Sequence, residues 1–244
     1  MKRSLLSSVF AAALFVPALA GAATGVTVIS LEVAPKDAPK LVAAYDKYYA
    51  SDAAKGFKGR TILSSNVADG ADPATHSLWV QFRSAGEQET YMNAVAEMPA
   101  RKELMDSLGS LAKVTYTGRA ALVRSWGDAA DDDIVWVTYD VNVSDVAAFN
   151  AALDAWMASP KGKSFPGQGQ LWAITFGGAD APTHAITLGY KSLAEADAWT
   201  ASLPGDPDFV KFQGVLAKVT VRVGAYLNRV VKTWGASEKS LLAP

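Results

Sequence analysis

Leu111-Ala112-Lys113-Val114-Thr115 recurs letter for letter as Leu216-Ala217-Lys218-Val219-Thr220, and the duplication around this pentapeptide decides the fold. Toward the amino terminus a shift of 108 residues aligns Asp46 with Asp154, Phe57 with Phe165, Gly70-Ala71-Asp72 with Gly178-Ala179-Asp180, and Thr75-His76 with Thr183-His184. The pentapeptide itself lies at a shift of 105, which reads as a three-residue deletion in the second copy. Further on, the shift returns to 108, so Trp126-Gly127 matches Trp234-Gly235. Self-similarity at a fixed period marks one supersecondary unit used twice.

Each copy reads strand, helix, strand, strand, helix, strand. Val26 to Val33 and Ile134 to Val141 are β-rich runs, and Asp37 and Ser144-Asp145 are suitable N-caps for the helical segments after them. Leu41, Tyr45, Tyr48 and Tyr49 recur at helical spacing, as do Val146, Phe149, Leu153, Trp156 and Met157. Ser84 with Glu87, and Ser192 with Glu195, form capping boxes that open a second helix in each copy. Thr61 to Val67 then pairs with His76 to Phe82, and the last strands start near Lys113 and Lys218. The β-α-β-β-α-β order is the ferredoxin-like unit, with both helices on one face of an antiparallel sheet. Two such units cover their bare faces by packing sheet to sheet, giving an α+β fold in the form of a pseudo-dimeric barrel.

On element order, duplication and strand pattern, residues 25 to 235 resemble the dimeric α+β-barrel superfamily. Its members include antibiotic-biosynthesis-monooxygenase-like and stress-response barrel proteins. The resemblance implies that the usual homodimer is fused here into one chain, which is expected to be monomeric. It also implies a range of chemistries: some barrels oxidise aromatic substrates without metal or flavin, some bind or degrade haem, and others have no known chemistry. No catalytic motif of a particular family is matched.

Composition narrows the function. Half of the 244 residues are hydrophobic and 19% are charged, which excludes disorder as the overall class. Lys and Arg total 23 against 24 Asp and Glu, so there is no electrostatic reason for nucleic acid or an anionic membrane as partner. The absence of cysteine removes disulfides, thiolate nucleophiles and Cys-based metal sites, two histidines leave little room for a His-rich metal site, and with no P-loop, dinucleotide fingerprint, Ser elbow or zinc motif in the sequence no metal or cofactor is expected. Residues 1–23 have a basic head at Lys2-Arg3, an apolar stretch from Leu5 to Ala20 broken by Pro17, and small residues at Ala18-Leu19-Ala20. That is the layout of a bacterial signal peptide, predicting a periplasmic or secreted protein. The domain plan is a signal peptide over 1–23, repeats over 24–127 and 134–235 joined by an acidic linker at 128–133, and a tail over 236–244.

Strand alternation selects the candidate site. Ile29, Leu31 and Val33 belong to the helix-packed side, which turns Val28, Ser30 and Glu32, with Trp136, Thr138 and Asp140, toward the shared interior. By the same parity Trp79, Trp136, Trp172, Arg60, Gln81 and Gln170 are expected to contact a small apolar or aromatic molecule between the sheets. The three tryptophans also suit an interior filled by side chains. Glu32 and Asp140 are candidate general bases, or strand-end carboxylates paired with Arg60, Arg83 or Lys191. His76 and His184 are candidates for catalysis or for fixing the loops beside Asp72 and Asp180, and their parity puts them on the helix side, away from any haem in the barrel. The expected function is ligand binding, with a cofactor-independent monooxygenase and a structural or interaction role as alternatives.

Overall fold

The computed structural model describes residues 24–70, 72–128 and 131–242, so the expected targeting segment lies outside the described residues. The strands are β1 Gly25–Val33, β2 Arg60–Ala68, β3 His76–Phe82, β4 Ala112–Trp126, β5 Val135–Val143, β6 Gly169–Phe176, β7 His184–Tyr190 and β8 Thr220–Gly235. The helices are α1 Ala38–Tyr49, α2 Ala85–Val95, α3 Pro99–Leu111, α4 Val146–Ala158, α5 Pro160–Lys163, α6 Leu193–Ala201, α7 Pro207–Val219 and α8 Glu238–Leu242.

Both capping boxes form. Ser84 Oγ accepts from the Glu87 amide and Ser192 Oγ from the Glu195 amide, each at 3.1 Å. The glutamates reach back to the amides of Arg83 and Lys191 at 3.1 and 2.8 Å. Asp145 caps α4 through the Ala148 amide at 2.9 Å, whereas Asp37 makes no cap and pairs with Lys40 instead. The single second helix expected in each copy is two helices. Pro99 and Pro207 stand at the first position of α3 and α7, where a missing amide hydrogen costs nothing, and Asp206 caps α7.

The eight strands form a closed antiparallel barrel in the order β1-β3-β2-β8-β5-β7-β6-β4. Each repeat supplies a four-stranded sheet, and the two sheets join edge to edge through β2 with β8 and β4 with β6. The α+β barrel is therefore closed by hydrogen bonding at its seams, which leaves no strand edge unpaired. The seams exist because β4 and β8, at 15 and 16 residues, are long enough to serve both repeats.

Each long strand ends by driving a tryptophan under the other repeat's helices. Trp234 packs into the first core with Leu41, Tyr45, Tyr48 and Leu63, stacks on Tyr49 at 5.6 Å, and donates its indole N–H to Asp46 at 2.9 Å. Trp126 packs on the second core, which holds Phe149, Leu153, Trp156, Leu171, Tyr190, Trp199 and Phe212. The following glycines, Gly127 and Gly235, have φ of 75° and 88°, and a Cβ there would lie 2.2 Å from Gly167 O and 2.3 Å from Gly59 O. Only glycine permits both the left-handed turn and that approach.

The repeated pentapeptide does not occupy equivalent positions. Leu111 ends α3 and Ala112 to Thr115 begin β4, whereas Leu216 to Val219 are still helical and Thr220 alone enters β8. Both helices have 13 residues and keep the shift of 108, from Pro99 and Pro207 to Ala112 and Thr220, so no deletion falls there. Leu, Ala and Lys are good helix formers, and packing against the sheet rather than local preference sets where the helix stops.

The acidic linker and the tail are built into the structure. Asp133 is buried, with its carboxylate accepting from the Gln168 amide at 3.1 Å. The tail folds back as α8 and buries Glu238 and Leu241.

Candidate functional site

The two ends of the barrel differ. At one end Arg60 and Glu238 form a buried ion pair, Gln170 donates to Glu238 at 2.7 Å, and the Glu238 amide donates to Asp131 at 2.8 Å. Helix α8 and the linker thus close this end. The other end carries the β2–β3 and β6–β7 loops and holds a cavity of about 450 Å³. Between them lies a void of about 30 Å³, bordered by Ile62, Gln81, Trp136, Gln170 and Thr187.

The walls of the large cavity come from inward positions of the strands. Val28 and Ser30 on β1, Trp79 on β3, Thr138 and Asp140 on β5, Ile174 on β6, Ala185 on β7 and Asn228 on β8 line it. Tyr116 lies opposite Ser30 and Tyr226 opposite Thr138. Each ring lies over a glycine two residues away on the same face. A Cβ at Gly118 would fall 2.2 Å from the Tyr116 hydroxyl, and one at Gly224 would fall 2.5 Å from that of Tyr226. The Tyr116-Thr117-Gly118 and Gly224-Ala225-Tyr226 triplets carry this signal in the sequence, and parity reasoning on the first three strands of each copy did not reach them.

Asp140 is the one acid on a barrel strand that lines this cavity. Burial raises its pKa from the usual carboxylate range to about 6. Among the described residues no side chain donates a hydrogen bond to it. Burial, and secondarily the Asp140 charge, also pushes the phenols of Tyr116 and Tyr226 up. Thr138 Oγ1 and Asn228 Oδ1 are buried without a hydrogen-bond partner, on residues that border both the cavity and the small void.

The sequence-predicted residues separate. Of the six side chains expected to contact a ligand, only Trp79 borders the large cavity. Trp172 is fully buried, meets Trp79 edge-on at 6.4 Å, and donates to Gln170 Oε1 at 3.2 Å and Thr187 Oγ1 at 3.3 Å. Trp136, Gln81 and Gln170 border the small void, which has space for about one water. Arg60 belongs to the ion pair of the closed end. The placement of these five beyond the large cavity corrects the expected pocket, because the interior is divided by Trp79 and Trp172 and partly filled from the α8 end.

Glu32, the counterpart of Asp140, lies exposed at the end of β1 with Lys113 at 3.2 Å, rather than with Arg60, Arg83 or Lys191. His76 and His184 do not line either space. Each ring nitrogen Nδ1 shares a hydrogen bond with the preceding threonine, at 2.9 Å to Thr75 and 3.0 Å to Thr183, not with Asp72 or Asp180. Those threonine hydroxyls accept from the amides of Val33 and Val143 at 2.9 and 2.8 Å. His184 lies against Phe149 of α4, and burial lowers the pKa of both imidazoles, which keeps them neutral. No imidazole reaches the cavity, so a histidine-ligated haem has no axial donor there.

No protein-family model matches the sequence, and no curated protein matches it. Among solved structures, a candidate monooxygenase from Lactobacillus acidophilus is similar over 88% of this chain and 97% of its own, at 16% identity and a TM-score of 0.60. An anthrone oxidase-like protein is similar over 91% and 97%, at 15% identity and 0.58. A variant chlorite dismutase from Candidatus Nitrospira defluvii is similar over 86% and 92%, at 9% identity and 0.54. The fold is that of the dimeric α+β-barrel proteins. At these identities the likeness concerns the fold.

Proposed function

We propose that the protein is a periplasmic or secreted barrel that binds a small aromatic or apolar molecule in the loop-end cavity. The observation that carries the reading is the wall itself: Trp79, Tyr116 and Tyr226 help line about 450 Å³, together with the polar side chains of Ser30, Thr138, Asp140 and Asn228. Ligand pockets are commonly of about this volume, mostly apolar, with a few convergent polar groups. The amino-terminal pattern of residues 1–23 supports the compartment. Calorimetric titration with 2-naphthol tests the binding. Saturable uptake that is lost in Trp79→Ala and Tyr226→Ala variants of unchanged thermal stability supports it, and no heat of binding at millimolar concentration overturns it.

A second reading, a cofactor-independent monooxygenase, is favoured by Asp140 and by the names of two fold neighbours. A carboxylate whose pKa burial raises to about 6, at the wall of the loop-end cavity, is placed to take a proton from an acidic methylene of an aromatic substrate. The carbanion so formed would combine with dioxygen, one oxygen atom remaining as a carbonyl and the other leaving as water. Oxygen uptake on adding anthrone, abolished in Asp140→Asn, tests this reading.

A further inference from the structure

The charges of the cavity wall are one-sided. The wall includes Asp72, Asp140 and Asp180, and among the described residues Arg119 is the one basic residue that borders it. Arg119 pairs with Thr27, whose hydroxyl accepts from Gln88 of α2 on the helix side, so its side chain points away from the cavity. Its guanidinium tip accordingly lies 3.7 Å from the position of a Cβ at Gly25, which shares that outward face.

Two oxygens without a partner lie behind this wall. Thr138 and Asn228 are 5% and 6% exposed and border both the cavity and the small void, and Thr138 Oγ1 and Asn228 Oδ1 are buried with no hydrogen-bond partner. An unsatisfied buried acceptor costs about 1–3 kcal/mol until a donor reaches it. A neutral hydrocarbon would leave Thr138, Asn228 and Asp140 unpaired, and an anion would meet carboxylates with no countercharge. A bare metal ion is disfavoured as well, because among the described residues no three acidic or histidine side chains come together as a ligand set. Trp79, Tyr116 and Tyr226 line the cavity, and the π face of such rings attracts an organic cation.

We infer that the ligand is an organic cation, a protonated amine on an aromatic or apolar body, with the ammonium directed to Asp140, Thr138 and Asn228 and the body against Trp79. The inference rests on the binding reading above. An ammonium brings three donors and a positive charge to a wall that carries three carboxylates, and charge-assisted bonds are about twice as strong as neutral ones.

The test compares tryptamine with 3-(2-hydroxyethyl)indole and indole-3-acetate by calorimetry at pH 8. These share one ring system and differ in the polar group. Tryptamine should bind about tenfold or more tighter than the alcohol, and the acid should not bind. In Asp140→Asn the amine and alcohol affinities should converge to within about twofold, a change of one charge-assisted contact. Thr138→Val, which keeps the carboxylate, should lower amine affinity with the fold intact. Equal or tighter binding of the alcohol or the acid overturns the cation inference while leaving the pocket in place, and so does a preference for the amine that survives Asp140→Asn. Failure of all three indoles to bind overturns the pocket as well.

Discussion

Arg60 on β2 and Glu238 on α8, 178 positions apart in sequence, form an ion pair with side chains 5% and 1% exposed at the closed end of the barrel. Asp131 of the linker adds a second carboxylate at 3.3 Å from the guanidinium, so three separate segments meet there. Removing Glu238 leaves the buried guanidinium with the half-exposed Asp131 alone, and losing one partner of a buried pair costs up to about 3–5 kcal/mol, while replacing both by apolar groups is often neutral. Glu238→Leu should therefore be strongly destabilising in urea unfolding, and Arg60→Met combined with Glu238→Leu should recover most of the loss. Equal loss in the single and double variants would show that the pair is not the unit that matters.

Asp140 makes stability pH-dependent. The groups that share its cavity or strand neighbourhood are the phenols of Tyr116 on β4 and Tyr226 on β8, the carboxylates of Asp72 and Asp180 on the loops, and the uncharged Ser30, Ala185 and Gly224; among the described residues no basic side chain pairs with it. Its folded pKa of about 6 stands above the ordinary aspartate value of 3.8, so the folded state holds the proton more tightly than the unfolded chain. The resulting stability is fully present below about pH 4 and is lost as pH rises through 6. The loss is on the order of 2 kcal/mol for a carboxylate that water still partly reaches. Relative to the parent, Asp140→Asn should gain thermal stability between pH 4 and 7, read as the difference in Tm against pH. A constant difference across that range would show that Asp140 keeps an ordinary pKa.

Trp79 and Trp136 should behave differently. Trp79 borders the large cavity and Trp136 only the small void, where its indole N–H donates to Asp133 O at 3.1 Å. Trp79→Ala should weaken binding of an aromatic ligand by about 2 kcal/mol, roughly thirtyfold. Trp136→Ala should instead lower stability by about 3 kcal/mol as a core truncation. Fluorescence titration and thermal unfolding of the two variants separate the roles, and equal loss of affinity in both would place the ligand deeper than the loop end.

The histidines lie outside both spaces and fix strand ends through threonine. His76→Asn and His184→Asn should each cost about 1 kcal/mol and leave ligand affinity unchanged. Loss of binding at full stability in either variant would bring that imidazole into the site.

Period-two alternation in β1, β3 and β5 identifies the inward positions Ser30, Trp79, Thr138 and Asp140 directly, because the face of a strand residue is a local property. The capping boxes at Ser84 and Ser192 are equally local and form as the sequence predicts. The breaks before Pro99 and Pro207 carry a readable signal that the helical spacing overrode. Nothing in the sequence reveals that α8 turns back to Arg60, since that contact spans 178 positions.

Glu32 and Asp140 mark the boundary most clearly. They occupy the same place in two copies of one repeat, and the sequence by itself determined the duplication, the ferredoxin-like order, and an acid at that strand position in each copy. Tertiary structure alone decided that Glu32 faces Lys113 across β4 while Asp140 faces Gly224 across β8. The physical reason is register. The β1–β4 pairing shifts between Ser30 and Leu31, the β5–β8 pairing between Asp140 and Val141, and so the two acids meet different neighbours. Cross-strand partners are fixed by bulges and by closure of the whole barrel, and no local pattern encodes them. Lysine opposite one acid leaves a solvated pair, whereas glycine opposite the other lies under the Tyr226 ring and supplies no countercharge.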